Sequence, residues 1–378
     1  MNKQRVLISA FLCAFLALNP PITSFGEESD PSGAVRVEYD DLRTLLKEGN
    51  LTLKKTIADQ EDTINAYQEM WDTMKWEQDN MEDKAEDLSN ENGETSAVYS
   101  SNASMLKASA SRIYNQIKNL TDEKSARTIE KSADSYTYTA QTLMNSYNQM
   151  AQNRYAAEKN VQALEASYQA LVRKSTAGSA TQAQVLSEKS SLDIARNSLE
   201  SLREQERELR FRLLTMLGLE DREDVVIGAI PAPDMEAIAA IDFESDKQKA
   251  VGNDSNVQNE RHTRAYSTAD INRRFKQVGE AEGTAEASIQ YAYQELESRV
   301  IQYQAALESY ESALLIYQSL QRKQAAGLLS NTEYLCPQQW RLRVSEAAYA
   351  QKQAAKETAS MNLVQAYESY CWEVKGVN

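Results

Sequence analysis

The sequence predicts an all-α protein made of long antiparallel coiled-coil hairpins in two tandem, unequal repeats, with little or no β structure. Three observations lead there. The 378 residues carry 12 Gly and 6 Pro, and none of the prolines stands between residues 32 and 230. That scarcity, in a chain rich in Ala, Gln, Glu, Lys and Leu, is the composition of long helices. Apolar residues recur every seven positions over long stretches, the period of left-handed coiled-coil packing. One phrase also occurs twice, as Tyr168-Gln-Ala-Leu171-Val-Arg173-Lys174-Ser-Thr-Ala177-Gly178 and as Tyr317-Gln-Ser-Leu320-Gln-Arg322-Lys323-Gln-Ala-Ala326-Gly327. In each copy a leucine, Leu186 or Leu335, follows eight residues after the glycine.

Residues 1–26 read as a secretory signal peptide. Lys3 and Arg5 precede a 13-residue apolar run from Val6 to Leu18, too short to span a bilayer, which needs about 20 residues. Residues 27–35 form a linker. The first repeat spans 36–218 with its tip at 176–182, a joint covers 219–233, and the second repeat spans 234–378 with its tip at 325–331.

Within the first repeat, Val37 to Leu88 reads as one helix. The acids Asp40 and Asp41 read as helix-start residues, not a catalytic pair. Residues 89–104 read as a polar turn around Gly93. A single helix is expected from Met105 to Thr176, with Tyr136, Leu143, Met150, Ala157, Leu164 and Leu171 at one heptad position and Ala140, Tyr147, Arg154, Val161 and Tyr168 at the other. Gly178 stops it, with Arg173 and Lys174 favourably placed in its last turn. Ser179 with Gln182, or Thr181 with Gln184, can cap the next helix. That helix runs to about Leu217 on Val185, Leu192, Leu199 and Leu213, with Glu206 as the charged interruption.

Val225, Val226 and Ile227 can add a few residues of extended chain. A second helical half begins near Asp234, and Asn253 with Val257 echoes Asn50 with Leu53. Residues 252–283 carry no clear boundaries. The second hairpin is clear again: Val300, Leu307 and Leu314 alternate with Tyr303, Tyr310 and Tyr317, a ladder expected to be a helix seam. Ser330 and Glu333 form a capping box, and Pro337 is expected to bend the returning helix locally.

The formal net charge of −15 disfavours nucleic-acid binding, which needs a basic surface. His262 is the only histidine, so no His-based metal site or triad has its parts, and no cofactor is expected. Cys336 and Cys371 lie roughly 50 Å apart along one straight helix, too far to pair. Nothing in these residues points to an enzyme.

Together these residues resemble the outer membrane efflux protein family, the TolC-like exit ducts of multidrug efflux and type I secretion. The resemblance rests on the signal peptide, the helix start Leu-Leu-Lys-Glu-Gly-Asn50, the tandem Tyr…Gly…Leu repeat, and the ending Leu213-Leu214-Thr-Met-Leu217-Gly218. It implies a homotrimer forming a helical barrel in the cell envelope, associated with a membrane. It also implies an adaptor of the membrane-fusion type and an inner-membrane pump as partners. By resemblance, the docking tips lie at Gly178, Gly327, Leu186, Leu335, Arg173 and Arg322, with Glu333 and Gln184 at the pore mouth. A second acid of the family's mouth is Cys336 here, and an arginine is Leu329. The family places a β-hairpin between the rising helices of each half, whereas residues 89–104 and Gly279–Gly283 are too short and polar for membrane strands. The sequence therefore predicts that the membrane barrel is reduced or lost. The other reading is a non-transporting secreted envelope spacer or surface interaction protein.

Overall fold

The structure, a computed structural model, describes residues 35–89, 93–222, 224–328 and 338–377. In chain order the elements are β1 (Val35–Val37), α1 (Leu42–Gly49), α2 (Leu51–Asp87), α3 (Gly93–Thr121), α4 (Glu123–Thr176), α5 (Gln182–Met216) and β2 (Val225–Ile227). They continue with α6 (Met235–Ala239), α7 (Phe243–Asn253), α8 (Ser255–His262), α9 (Thr268–Ala325) and α10 (Gln338–Lys375). The protein is all-α, as its heptads predict. Its β content among the described residues is one parallel pair, in which Val35 faces Val225 and Val37 faces Ile227.

Three local readings are corrected. Val37 belongs to β1, and helix begins at Leu42 and breaks at Asn50. The expected turn over 89–104 is helical from Gly93 onward. Its Ser, Asn and Ala side chains gave no large apolar period to detect, yet Ala103 and Ala110 are buried as the seam of α3. The expected helix 105–176 is two helices, interrupted at Asp122. In the stretch left without boundaries, Gly279 and Gly283 lie inside α9, with nothing within 4 Å of the Cβ that either would carry. There they cost helix propensity, about 1 kcal/mol each relative to Ala, and mark no turn.

The chain divides into two compact units. One holds Leu42–Thr137 with Thr215–Gly218. Its main feature is the antiparallel pair α2 and α3. Gln60 donates to the Leu120 carbonyl at 2.9 Å, Trp71 packs on Tyr114 with centroids 6.2 Å apart, and Ser96 donates to the Ala85 carbonyl at 2.6 Å. Arg43 and Lys47 of α1 reach Glu130, and Arg43 also reaches Asp134.

The other unit contains residues 35–41, 138–214 and 219–377 of the described chain. Its helices run in the order α5, α4, α10, α9, each antiparallel to the next. Arg154 meets Glu206 and Arg196 meets Glu165 across α4 and α5. Lys159 meets Glu346 and Asn145 meets Gln365 across α4 and α10. Tyr310 meets Tyr349 across α9 and α10. Having neighbours on two sides, α4 leaves its expected heptad residues Leu143 and Leu164 only half-buried. Its deepest positions toward the tip are Ala156, Ala163 and Ala170, a seven-residue period of small side chains that let helices approach closely. Beyond the seams, Phe243, Ile289, Leu296, Leu363 and Tyr370 form a core where α7 packs on α9 and α10.

Candidate functional site

The candidate site is the pair of glycine-ended helix termini. At the end of α4, Gly178 has φ +74°. Its N–H donates to the Ser175 carbonyl at 3.0 Å, and the Ser179 N–H reaches back to Lys174 at 2.8 Å. The end of α9 repeats this geometry: Gly327 has φ +66°, its N–H donates to Gln324 at 3.0 Å, and Leu328 N–H reaches Lys323 at 2.9 Å. Both are Schellman terminations, which satisfy the last carbonyls and need a residue that tolerates left-handed backbone. The space around both glycines is open.

The partners along the helices put the two ends level. Lys159 pairs with Glu346 at 2.8 Å, and Arg343 donates to Gln162 at 3.3 Å. The C-terminal end of α4 therefore runs beside the N-terminal end of α10. Because α9 is antiparallel to α10, Gly178 and Gly327 finish at the same end of this unit.

Arg173 and Arg322 are both exposed in the last turns, where a cation suits the carbonyl end of the helix. Leu186 is 64% exposed just inside α5. Gln184 serves as a cap. Its side chain accepts from the Thr181 N–H at 2.9 Å, and its own N–H donates to the Thr181 hydroxyl at 3.3 Å. Of the two capping pairs open to the sequence, the chain uses Thr181 with Gln184. The readings of Ser330, Glu333, Leu335, Cys336 and Pro337 fall outside the described residues, as does the proposed signal peptide.

Behind the tips the seams carry charge and amides. Glu206, the interruption in the α5 heptad, meets Arg154, the interruption in the α4 heptad, at 2.5 Å. The two exceptions to the pattern are thus partners. Burial opposes ionisation of Glu346, but the hydrogen bond and charge of Lys159, with Arg343, hold its carboxyl below the usual range. Asn145, 2% exposed, donates to the Met361 carbonyl at 3.1 Å and to Gln365 at 2.6 Å, and Gln149 donates to Asn362 at 2.8 Å. Tyr349 stacks on Tyr317 with centroids 5.4 Å apart, and its hydroxyl lies 3.2 Å from that of Tyr310. The tyrosine ladder is a seam. Nothing in the heptads singled out the amides of α4, because Asn and Gln are also common on solvated faces. A groove of about 520 Å³, lined by Asn153, Asn160, Gln351, Thr358, Asn362 and several alanines, runs beside them.

Among the described residues no three His, Cys, Asp or Glu side chains are placed to hold a metal ion, and no helix is long and apolar enough to cross a membrane.

No family model and no curated protein matches the chain. Among solved structures, the chain is similar to a membrane protein from Pseudomonas aeruginosa at 12% identity and a TM-score of 0.46, over 88% of this chain and 90% of that one. It is similar to the outer-membrane channel OprN at 13% identity and a TM-score of 0.45, over 90% of each chain. It is also similar to CusC, described in connection with transmembrane channel formation, at 10% identity and a TM-score of 0.40, over 93% of this chain and 95% of that one.

Proposed function

We propose that the chain is a divergent TolC-like envelope channel component, whose helices form an extracytoplasmic conduit with an adaptor and an inner-membrane transporter. The observation that carries this reading is the pair of Schellman-capped ends, Gly178 and Gly327, level with each other in one four-helix array. A repeated tip sequence at one end of a helical array is what a docking mouth requires. Exposed Leu186, Arg173 and Arg322 supply an apolar and cationic surface there.

The edge helices support an oligomer. In the array, α5 and α9 each have one inner neighbour and one open flank. Exposed Leu186, Ile194 and Phe211 stand on α5, and Tyr291, Ile301 and Leu315 on α9. A closed ring of three chains would join such flanks, and burial of apolar area would drive the closure. The test is a native mass of the purified full chain, alone and with each candidate adaptor of the same envelope. Three copies that bind an adaptor through residues 173–186 support the proposal.

A second reading, a non-transporting envelope spacer, is favoured by the helices at α3 and in the middle of α9, where the family resemblance implies membrane strands. A chain that assembles but leaves efflux and secretion unchanged on deletion would select it.

A further inference from the structure

We infer that the outward face of α2 around Trp76 is a docking surface for a basic helix of a second protein. Trp76 is 65% exposed, and it lies opposite the seam by which α2 packs on α3 through Trp71 and the buried Gln78. An exposed indole forfeits the largest apolar surface of any side chain, and tryptophan is concentrated at the energetic centres of protein interfaces.

Its surroundings define what would cover it. Glu69, Asp72, Trp76, Asp79, Asp83 and Asp87 follow one another at intervals of three or four residues, so they share one helix face. All six are exposed, and the row extends for about 27 Å at 1.5 Å per residue. It contains no Lys or Arg. Among the described residues, the cation that reaches it is Lys75, 3.8 Å from Asp79 at its edge. The steps from Asp79 to Asp83 and from Asp83 to Asp87 set like charges at i and i+4, a spacing that weakens an isolated helix.

A partner helix bearing Lys or Arg every three or four residues matches this row in length, spacing and sign. One cation would lie over the indole face, and the others would meet the carboxylates on either side. Arginine suits the central position best, because a planar guanidinium stacks on an aromatic face and forks to a carboxylate. This surface lies on the α2–α3 hairpin, and the glycine tips belong to the other unit.

The test uses the full chain and a labelled 18-residue alanine-based peptide with Arg at every third or fourth position, titrated by fluorescence anisotropy. Trp76→Ala is expected to weaken binding about three-fold or more, and Trp76→Phe less, as a ring–cation contact requires. Neutralising Asp72, Asp79 and Asp83 to Asn together is expected to weaken it further and to flatten its salt dependence. A charge-matched control neutralises Glu297, Glu308 and Glu311 of α9 to Gln. Far-UV circular dichroism checks that each variant keeps its helices. Selective loss with the α2 variants supports the surface. Equal loss in the α9 control with no effect of Trp76→Ala, or no binding by the unmodified chain, overturns it.

Discussion

Asn50 donates its side-chain amide to the Met216 carbonyl oxygen at 2.8 Å, while its own side-chain oxygen caps α2 by accepting from the Leu53 N–H at 2.9 Å. One asparagine thus starts one helix and holds the end of another 166 residues away. The second repeat divides the same work between two residues: Asn253 donates to the Val374 carbonyl at 2.9 Å, and Asp254 caps α8 through the Val257 N–H at 2.8 Å. In both repeats the held helix ends at a left-handed glycine, Gly218 or Gly376, two residues after the bonded carbonyl. Asn50→Ala removes both the cap and the tie and is expected to cost about 2 kcal/mol. Asn253→Ala removes the tie alone and should cost about half as much. Urea unfolding midpoints compare the two.

The four left-handed glycines, Gly178, Gly218, Gly327 and Gly376, should not respond alike. A Cβ on Gly49 would overlap the Leu217 carbonyl oxygen, and one on Gly218 would overlap the Gly49 carbonyl oxygen. Around Gly178 there is no obstacle. Gly178→Ala therefore pays for the left-handed backbone alone, roughly 1 kcal/mol. Gly218→Ala adds a backbone clash and is expected to cost at least twice that, read as a larger fall in melting temperature.

Arg154 and Glu206 are the charged interruptions of two facing heptads, and they pair at 2.5 Å. Replacing Glu206 alone by Leu leaves a half-buried guanidinium with Glu158 as its remaining carboxylate partner and should destabilise the chain by about 1 kcal/mol, discounted for partial exposure. Replacing both by Leu should recover most of the loss. A double-mutant cycle measures the coupling.

Protonation should act in opposite directions at two places on α10. Burial raises the Glu368 carboxyl, opposed by Lys375 and by a hydrogen bond with Gln141, and it raises Glu373 beside Asp254. Such groups penalise the folded chain when ionised, so stability should rise as pH falls from neutral through their raised values. Glu346 is held low, so its stabilising contribution is present above the ordinary carboxylate range and lost as pH falls below it. Glu368→Gln should flatten the first change and Glu346→Gln the second, in melting temperature recorded against pH.

The sequence made the helical class and the tip glycines legible, because heptads of large apolar residues and a repeated Gly-ended phrase are local signals. It did not reveal the start of α3 over residues 93–104, where buried Ala103 sits among serines and asparagines, nor the break at Asp122. Nor did it reveal the β1–β2 pair, where three residues of each strand meet a partner 190 positions away, as Val35 meets Val225. At the candidate site, Thr181 with Gln184 was readable from capping chemistry. The amides around Asn145 were not, since their partners sit on a helix more than 200 residues later.

The most direct test of the central claim is the native mass of the purified full-length chain over a range of concentrations, with Phe211→Asp and Ile301→Asp on the open flanks of α5 and α9. The account predicts three copies for the unmodified chain and dissociation toward single copies in both variants. A single copy at every concentration, or an assembly indifferent to both substitutions, would contradict it.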